Sequence, residues 1–417
     1  MAKTAPDSRE RAIFHMDGDA FFVGVEVAKN PRLKGRAVVT GAERGIVSAL
    51  SYEAKALGVT RGLPIFQLKK LFPSVIILPG DYASYADYSQ RMFDIVRRYA
   101  DDVEEYSIDE CFADLTGLDK PLKMSYREIV ERIKKEVNDE LGLSVSVGLA
   151  PTKVLAKVAS KWVKPNGLTI IDFAHIHDFL MTVPIHKVWG IGPSTSQFLT
   201  RQNVHTAEDL ARQTENWVEH FLDKHARELW AELRGTTVFK VDPNVKTTYS
   251  SIQKTRTFHP PTNDITFLLS QLSRHVEDAC SKARYYKLAP KKISFFLKTQ
   301  TFRYARCEMK LLSPTNISEL LLPLIAQEVG RIHKCGVLYR ATGVTLHELV
   351  SSDVVQADLF GGTIRAGKLD AIHDQIESLE EKFGKRVVYL ASTKDALKNK
   401  VKGATDADTP DRDLLFL

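Results

Sequence analysis

The amino-acid sequence predicts an α+β protein built from several domains. Its 417 residues allow about two to four domains of ordinary size. With 44% hydrophobic and 26% charged residues, the chain can bury a substantial core. Two separate parts of the sequence show strand and helix patterns in the order strand, helix, strand, strand, helix, strand. That order describes a ferredoxin-like unit, so we expect two such units with a helical stretch between them.

The first unit encloses a smaller sheet. Two of its strands are expected at 37–40 and 46–49, on either side of a turn that begins and ends with glycine. An amphipathic helix over 87–99 places Met92, Ile95 and Val96 inward. The other expected strands are 12–14, 75–78 and 144–149, and the other helices are 22–28, 52–57, 126–141 and 152–162.

An acidic run ends the stretch before residue 111. Six acids and no bases lie between Asp101 and Glu110, and the apolar residues 111–113 follow directly. Neighbouring carboxylates at the edge of a core repel each other and lose hydration unless a cation offsets their charge. Mg²⁺ is the usual cation, because it takes few carboxylates and leaves room for substrate phosphates. A solvated strand end explains Asp109 and Glu110 equally well on their own.

A third acid, Asp17, stands at the end of the first predicted strand and is followed by Gly18. By itself this pair is better explained as an Asp-Gly turn. Together with Asp109 and Glu110, however, it gives three carboxylates that could hold two metal ions about 3.5–4 Å apart. This is an arrangement for phosphoryl transfer. One ion would lower the pKa of an attacking hydroxyl, and the other would stabilise the leaving phosphate.

Four motifs in fixed order connect these acids to a known family. They are Met16–Phe22, Ser51–Lys55, Tyr106–Glu110 and Lys164–Gly167. Together they resemble the Y-family translesion DNA polymerases of the bacterial DNA polymerase IV type, over residues 10 to 350 or so. The resemblance implies a right-hand polymerase fold. Its parts would be the palm (1–22 and 82–176, ferredoxin-like), small fingers (23–81), a helical thumb (177–240), a linker (241–247), a βαββαβ little finger (248–350) and a tail (351–417).

The implied activity is template-directed, low-fidelity DNA synthesis without proofreading. A primer 3′-hydroxyl would attack the α-phosphate of a deoxynucleoside triphosphate. The resemblance assigns two Mg²⁺ ions to Asp17, Asp109 and Glu110, with Gly18 lending its backbone carbonyl. It makes Phe22 a steric gate against the ribose 2′-hydroxyl, although a phenylalanine in an apolar segment is by default a core residue.

Nucleotide contacts are implied at Phe21, Phe22, Tyr52, Lys55 and Lys164. Without the motifs, Lys55 would be a solvated helix lysine and Lys164 an exposed lysine beside a Pro-Asn-Gly turn. The chain departs from the family pattern at Ala49, where a hydroxyl residue is common, and at Lys55, where arginine is common. Lysine keeps the charge but loses the bidentate fork. Gly18 and Ala20 are also smaller than the residues that many relatives carry.

DNA contacts are expected in two places. The segment 188–193 resembles a helix-hairpin-helix, in which Gly190 and Gly192 let backbone amides face a phosphate; a plain turn is the alternative. Between 246 and 310 there are thirteen Lys or Arg and four Asp or Glu, a local charge of +9 against +6 for the whole chain. A basic sheet of this kind suits salt-dependent contact with the DNA backbone, and an ordinary charged face is the alternative. The predicted contacts are Lys254, Arg256, Lys292, Lys298, Arg303 and Arg306.

The second unit and the tail complete the expected elements. The tail segment 356–360 resembles the peptide with which bacterial polymerases bind the sliding clamp, with Gln356, Leu359 and Phe360 as its contacts; packing on the little finger is the alternative. Composition predicts disorder over 394–412, and the apolar end 414–417 could be a second docking peptide. Strands are expected at 249–257, 293–301, 304–311 and 341–346. Helices are expected at 264–284, after the third of these strands up to about residue 334, and over 370–383.

Composition limits the compartment and the rival functions. Four scattered cysteines indicate neither zinc nor a disulfide framework. No signal peptide or long apolar run is present, so we expect a cytoplasmic monomer without membrane contact. One alternative is a catalytically silent accessory protein that binds DNA and the clamp, but it should have lost the three carboxylates. A second alternative is another palm-type two-metal enzyme, such as a nucleotide cyclase, but such an enzyme would not need the helix-hairpin-helix, the basic sheet or the clamp peptide.

Overall fold

The computed structural model describes residues 11–244, 249–352, 362–384 and 386–398. The chain divides into two compact units, one ending at Asn244 and one beginning at Val245. This boundary falls within the segment 241–247. No helix within these described ranges has the length and hydropathy of a transmembrane segment.

The first unit contains eight strands and twelve α-helices within 11–244. The strands are β1 (Ile13–Gly18), β2 (Val38–Thr40), β3 (Ala49–Leu50), β4 (Ile76–Leu78), β5 (Val103–Glu105), β6 (Glu110–Asp114), β7 (Val145–Ala150) and β8 (Leu168–Ile170). The helices are α1 (Phe21–Lys29), α2 (Tyr52–Ala56), α3 (Ile65–Leu71), α4 (Tyr82–Arg97), α5 (Asp119–Leu122), α6 (Tyr126–Leu141), α7 (Lys153–Trp162), α8 (Ile176–Leu180), α9 (Pro193–Arg201), α10 (Ala207–Ala211), α11 (Glu215–Phe221) and α12 (Lys224–Leu233).

The main sheet of this unit has the order β5-β6-β1-β7-β8. The run β1, α4, β5, β6, α6, β7 is a ferredoxin-like unit, and β8 adds a strand parallel to β7. β1 lies at the centre of this sheet and all six of its residues are buried. A smaller sheet, β3-β2-β4, carries α2 and α3.

Local sequence signals explain two of the helices that pack on the main sheet, α6 and α7. At the start of α6, Ser125 and Glu128 form a capping box, and Gly142 ends the helix with a φ of 66°. At the start of α7, the Thr152 hydroxyl accepts a hydrogen bond from the Leu155 amide. α7 packs closely on β7 because Gly148 has no side chain: a Cβ there would lie 2.2 Å from the Ala156 carbonyl oxygen. The glycine therefore sets the depth at which α7 lies against the sheet.

The second unit has a four-stranded antiparallel sheet in the order β11-β10-β12-β9. Its elements follow the same βαββαβ order as the palm, but its strands are arranged differently. Helices α13 and α14 pack against the face that carries Ile293, Phe295 and Val344. The elements are β9 (Ser251–Thr262), α13 (Ile265–Tyr285), β10 (Leu288–Thr299), β11 (Tyr304–Lys310), α14 (Ser318–Ile332), β12 (Tyr339–Ser351), α15 (Gly362–Phe383) and α16 (Lys394–Lys398).

Several predicted elements need correction. The strand expected at 46–49 is wrong over 46–48, because only Ala49–Leu50 pair as β3 and Ile46 makes a single bridge to Pro64. α4 begins at Tyr82 rather than at 87, since the Asp81 carboxylate accepts a hydrogen bond from the Ser84 amide and caps the helix there. The prediction of disorder over 394–412 is wrong for residues 394–398, because they form α16. The remainder of that stretch lies outside the described residues.

Candidate active site

Strand pairing brings the three predicted acids to one edge of the main sheet. Asp17 at the end of β1 lies directly opposite Glu110 at the start of β6. Asp109 precedes β6, and its carbonyl oxygen accepts a hydrogen bond of 2.8 Å from the Gly18 amide. Because β6 begins at Glu110, Asp109 lies in the preceding turn and is not forced to the opposite face. The three acids therefore lie next to one another in the chain path at this edge of the sheet.

Each of these carboxylates has a polar partner. The Nζ of Lys164 lies 2.6 Å from Asp17 Oδ1, and the Nζ of Lys157 lies 2.9 Å from Glu110 Oε2. The Ser107 hydroxyl donates a hydrogen bond of 2.7 Å to Asp109 Oδ1. Two of the acids are thus paired with lysine ammonium groups, and the third accepts a hydrogen bond from a hydroxyl.

Burial dominates the electrostatics of the site. It raises the pKa of Asp17 to about 7, against the opposing effect of Lys164 and with help from the neighbouring charges of Glu110 and Asp109. The pKa of Asp109 is also raised, first by burial and then by Glu110, while the Ser107 hydrogen bond lowers it. Acids held in this way gain from a nearby cation.

The donor set fits Mg²⁺ by its chemistry, since carboxylate oxygens are the ligands that this ion takes together with substrate phosphates. Within the described ranges, no three acidic, histidine or cysteine side chains converge closely enough to hold an ion as they stand. Instead, Lys164 forms an ion pair with Asp17 and Lys157 forms one with Glu110. A metal would therefore have to rearrange side chains, and Lys164 is the more exposed of the two lysines.

Asp19 is a structural acid that the sequence analysis missed. Its carboxylate is buried and accepts hydrogen bonds from the Ser144 and Ser146 hydroxyls at 2.7 and 2.8 Å. It also accepts one from the Asn166 amide at 2.7 Å, and the Tyr52 hydroxyl lies 3.3 Å away. Asp19 therefore ties β7, α2 and the turn after Lys164 together. The signal was present, as an acid two residues after Asp17 together with hydroxyls alternating along β7.

The residues predicted to contact the nucleotide differ in how far they are buried. Phe22 is half-buried and stacks on Tyr85, with ring centroids 4.3 Å apart and planes 10° apart. Phe21 is buried against Gly18, where an added Cβ would lie 3.1 Å from the ring. Lys55 is exposed, with its Nζ 5.9 Å from the Tyr52 ring centroid. Phe22 is therefore a partly exposed ring that packs on Tyr85, and it is not a fully buried core residue. The Lys55 side chain faces solvent.

Helix α7 supplies two buried lysines that the sequence analysis did not single out. Lys153 lies 2.6 and 2.7 Å from the two oxygens of Glu104, and Lys157 bonds Glu110. Residues four apart share a helix face, so both point at the acidic strands. The spacing of lysines in an otherwise apolar helix was the available signal.

The predicted helix-hairpin-helix joins the palm through Trp189. Its Nε1 donates a hydrogen bond of 2.9 Å to the Tyr106 hydroxyl. Gly190 has a φ of 87°, and an added Cβ would lie 2.7 Å from Leu229, so only glycine fits. Gly192 caps α9, and an added Cβ there would meet nothing within 4 Å.

Strand register separates the six predicted basic contacts. Lys298 and Arg306 lie on the open face of the second sheet, beside the exposed rings of Phe302 and Tyr304. Lys292 shares that face and bonds Glu308 at 2.6 Å, and Arg303 is exposed between β10 and β11.

The other two predicted contacts, Lys254 and Arg256, pair with the buried residues Val344 and Thr342. They therefore belong to the face that the helices cover. The clamp residues 356–360 lie outside the described residues.

Comparison with known proteins identifies the family. Residues 16–161 match the model of the impB/mucB/samB family, and residues 249–359 match the model of its C-terminal domain. The chain belongs to the Y-family DNA polymerases.

Individual relatives agree with this assignment. DNA polymerase IV 1 of Bacillus subtilis strain 168 is 29% identical over 403 residues, covering 95% of this chain and 96% of the relative. DNA polymerase IV of Staphylococcus aureus strain JH9 is 30% identical over 346 residues, covering 82% and 96%. A solved Y-family chimera of Dbh and Dpo4 superposes with a TM-score of 0.67 at 25% identity, over 82% of this chain and 99% of the chimera.

This Y-family polymerase is thus of the bacterial DNA polymerase IV type, as its four motifs indicated. The predicted right-hand α+β fold is confirmed. The chain is a DNA-directed DNA polymerase of the translesion class, and the silent accessory protein is not favoured. Use of a divalent metal is general to the family.

Proposed function

We propose that Asp17, Asp109 and Glu110 form the catalytic centre of this translesion polymerase. The observation that carries this proposal is the pairing of Asp17 with Glu110 across β1 and β6, with Asp109 beside them. Two bound Mg²⁺ ions would lower the pKa of the primer 3′-hydroxyl and stabilise charge on the leaving pyrophosphate. The carboxylates hold and orient these ions, and Gly18 contributes its backbone carbonyl.

We assign the nucleotide to the side of the site formed by Phe21, Phe22, Tyr52, Lys55 and Lys164. Phe22 acts as the steric gate, because its half-buried ring is held flat against Tyr85 and presents a fixed surface to the sugar. Lys55 and Lys164 bind the phosphates. Phe22→Ala should raise ribonucleotide incorporation, with Phe198→Ala on α9 as the control; unchanged sugar discrimination would remove this role.

Primer-template DNA is the partner assigned to the thumb and little finger. Gly190 and Gly192 would present amides to the backbone, and the basic residues of the second sheet would follow the phosphates. The sliding clamp is the partner assigned to Gln356, Leu359 and Phe360. The polymerase would act as a monomer in the cytoplasm, with low fidelity and no proofreading.

Primer extension tests the catalytic centre. Native protein should add template-matched nucleotides with Mg²⁺, whereas Asp109→Asn and Glu110→Gln should lose at least about a hundredfold, since each removes a charge that would hold the metal. Asp101→Asn is the matched control, because it is an exposed acid of the same run. Activity retained in both site variants, or lost equally in the control, would refute the assignment.

A further inference from the structure

We propose that Lys164 is a built-in substitute for a metal ion at Asp17, which makes metal binding depend on the arrival of a triphosphate. This inference rests on the proposed function, because it takes Asp17 as a metal-binding carboxylate. It goes further by giving Lys164 two alternating partners and a regulatory consequence.

The geometry makes Lys164 and a metal ion competitors. The lysine Nζ lies 2.6 Å from Asp17 Oδ1, and only 10% of the Asp17 side chain is exposed. A divalent ion bound to that oxygen would come within repulsive reach of the ammonium group. The lysine must therefore leave before the ion can bind tightly.

Lys164 can leave without disturbing the fold. A quarter of its side chain is exposed. The turn that follows it is anchored independently, since the Asn166 amide bonds Asp19 at 2.7 Å and the Gly167 amide bonds the Ser146 hydroxyl at 3.3 Å. Its side chain can swing while the backbone stays in place. A triphosphate carries more negative charge than one carboxylate, so it would draw the ammonium away from Asp17.

Lys157 provides the internal contrast. Its side chain is 4% exposed, and its Nζ lies 4.1 Å and 5.2 Å from the ring centroids of Tyr106 and Trp189. These rings and the bond to Glu110 fix it in position. Lys157 therefore stays paired with Glu110, whereas Lys164 can exchange Asp17 for another anion.

The consequence is a coupling between metal and nucleotide. Without nucleotide, Lys164 neutralises Asp17 and weakens metal binding. With nucleotide, Lys164 binds phosphate and releases Asp17. Coupling of this kind is reciprocal, so removing the lysine from Asp17 should reduce the factor by which each ligand favours the other.

The test measures binding of Mn²⁺, used in place of Mg²⁺, by electron paramagnetic resonance, without catalysis. The signal of the site is the part abolished by Asp17→Asn. It is titrated without nucleotide and again with a non-hydrolysable deoxynucleoside triphosphate and primer-template. The variant is Lys164→Gln. The matched control is Lys161→Gln. Lys161 is an exposed lysine of α7 that lies within range of the charges of Glu110 and Asp17. Within the described ranges, it forms no ion pair with either acid.

Without nucleotide, Lys164→Gln should bind Mn²⁺ about fivefold more tightly than native protein, the effect of removing one partly exposed ion pair. Lys161→Gln should change this affinity by much less, and Lys164→Arg should remain as weak as native. The enhancement by nucleotide should shrink in Lys164→Gln by the same factor.

Equal affinities in native protein and Lys164→Gln, or equal gains in Lys164→Gln and Lys161→Gln, would overturn the inference and leave the proposed catalytic centre intact. If native protein shows no Asp17-dependent Mn²⁺ binding even with triphosphate, the proposed centre falls and the inference falls with it. Thermal unfolding of each variant confirms that it is folded.

Discussion

The ammonium group of Lys157 lies 2.9 Å from the Glu110 carboxylate, and both side chains are largely buried, with 4% and 15% exposed. A buried charge whose partner is removed costs more than the pair contributes. Lys157→Met should therefore destabilise the first unit by about 2 kcal/mol, because it leaves Glu110 without its cation. Urea unfolding measures this. Lys161→Met, on the same helix but exposed, should change the unfolding midpoint little; equal effects of the two variants would contradict the prediction.

The pH dependence of stability follows from Asp17. Burial raises its pKa from 3.8 to about 7, so folding disfavours its charged form. The unfolded chain loses the proton first, and the contribution of Asp17 to stability is therefore greatest at low pH and falls as the pH rises from about 4 to about 7.

Asp17→Asn cannot make this transition. In EDTA, the free energy of unfolding of Asp17→Asn relative to native protein should therefore rise between pH values of about 4 and 7. Urea titrations at several pH values measure the difference. Parallel curves for the two proteins across that range would contradict the raised pKa.

Strand register predicts which basic residues of the second sheet matter most for DNA. Lys298→Gln with Arg306→Gln removes two charges from the open face, and should weaken DNA binding and lower the salt slope by about two. Lys254→Gln with Arg256→Gln removes the same charge from the helix-covered face and should have a smaller effect. Fluorescence anisotropy at several salt concentrations measures both. A larger loss for the second pair would reverse the assignment of faces.

Much of the fold could be predicted because local patterns agreed with the tertiary structure. α6 has the expected bounds of 126–141, since a capping box, a regular apolar stripe and a terminal glycine all act within that stretch. That Asp17 and Glu110 come together could be anticipated, because Asp17 follows a short apolar strand and Glu110 precedes another.

Other features depend on partners distant in sequence. Glu232 is fully buried and accepts hydrogen bonds from the Val238 and Phe239 amides and from the Val154 amide near the start of α7. Nothing local marks this acid as different from a surface residue of α12. By contrast, the face of Lys254 was readable: it lies two residues from the buried Ile252, so alternation puts both on the same side.

Single-nucleotide incorporation by native protein and Asp17→Asn, measured across a Mg²⁺ titration, tests the central claim most directly. Native protein should add the template-matched deoxynucleotide with a rate that saturates in Mg²⁺. Asp17→Asn should be slower by at least about a hundredfold at every Mg²⁺ concentration while still binding primer-template, because it loses a carboxylate of the metal centre. Equal rates for the two proteins would contradict the assignment of Asp17 and, with it, the catalytic role of the β1–β6 pair.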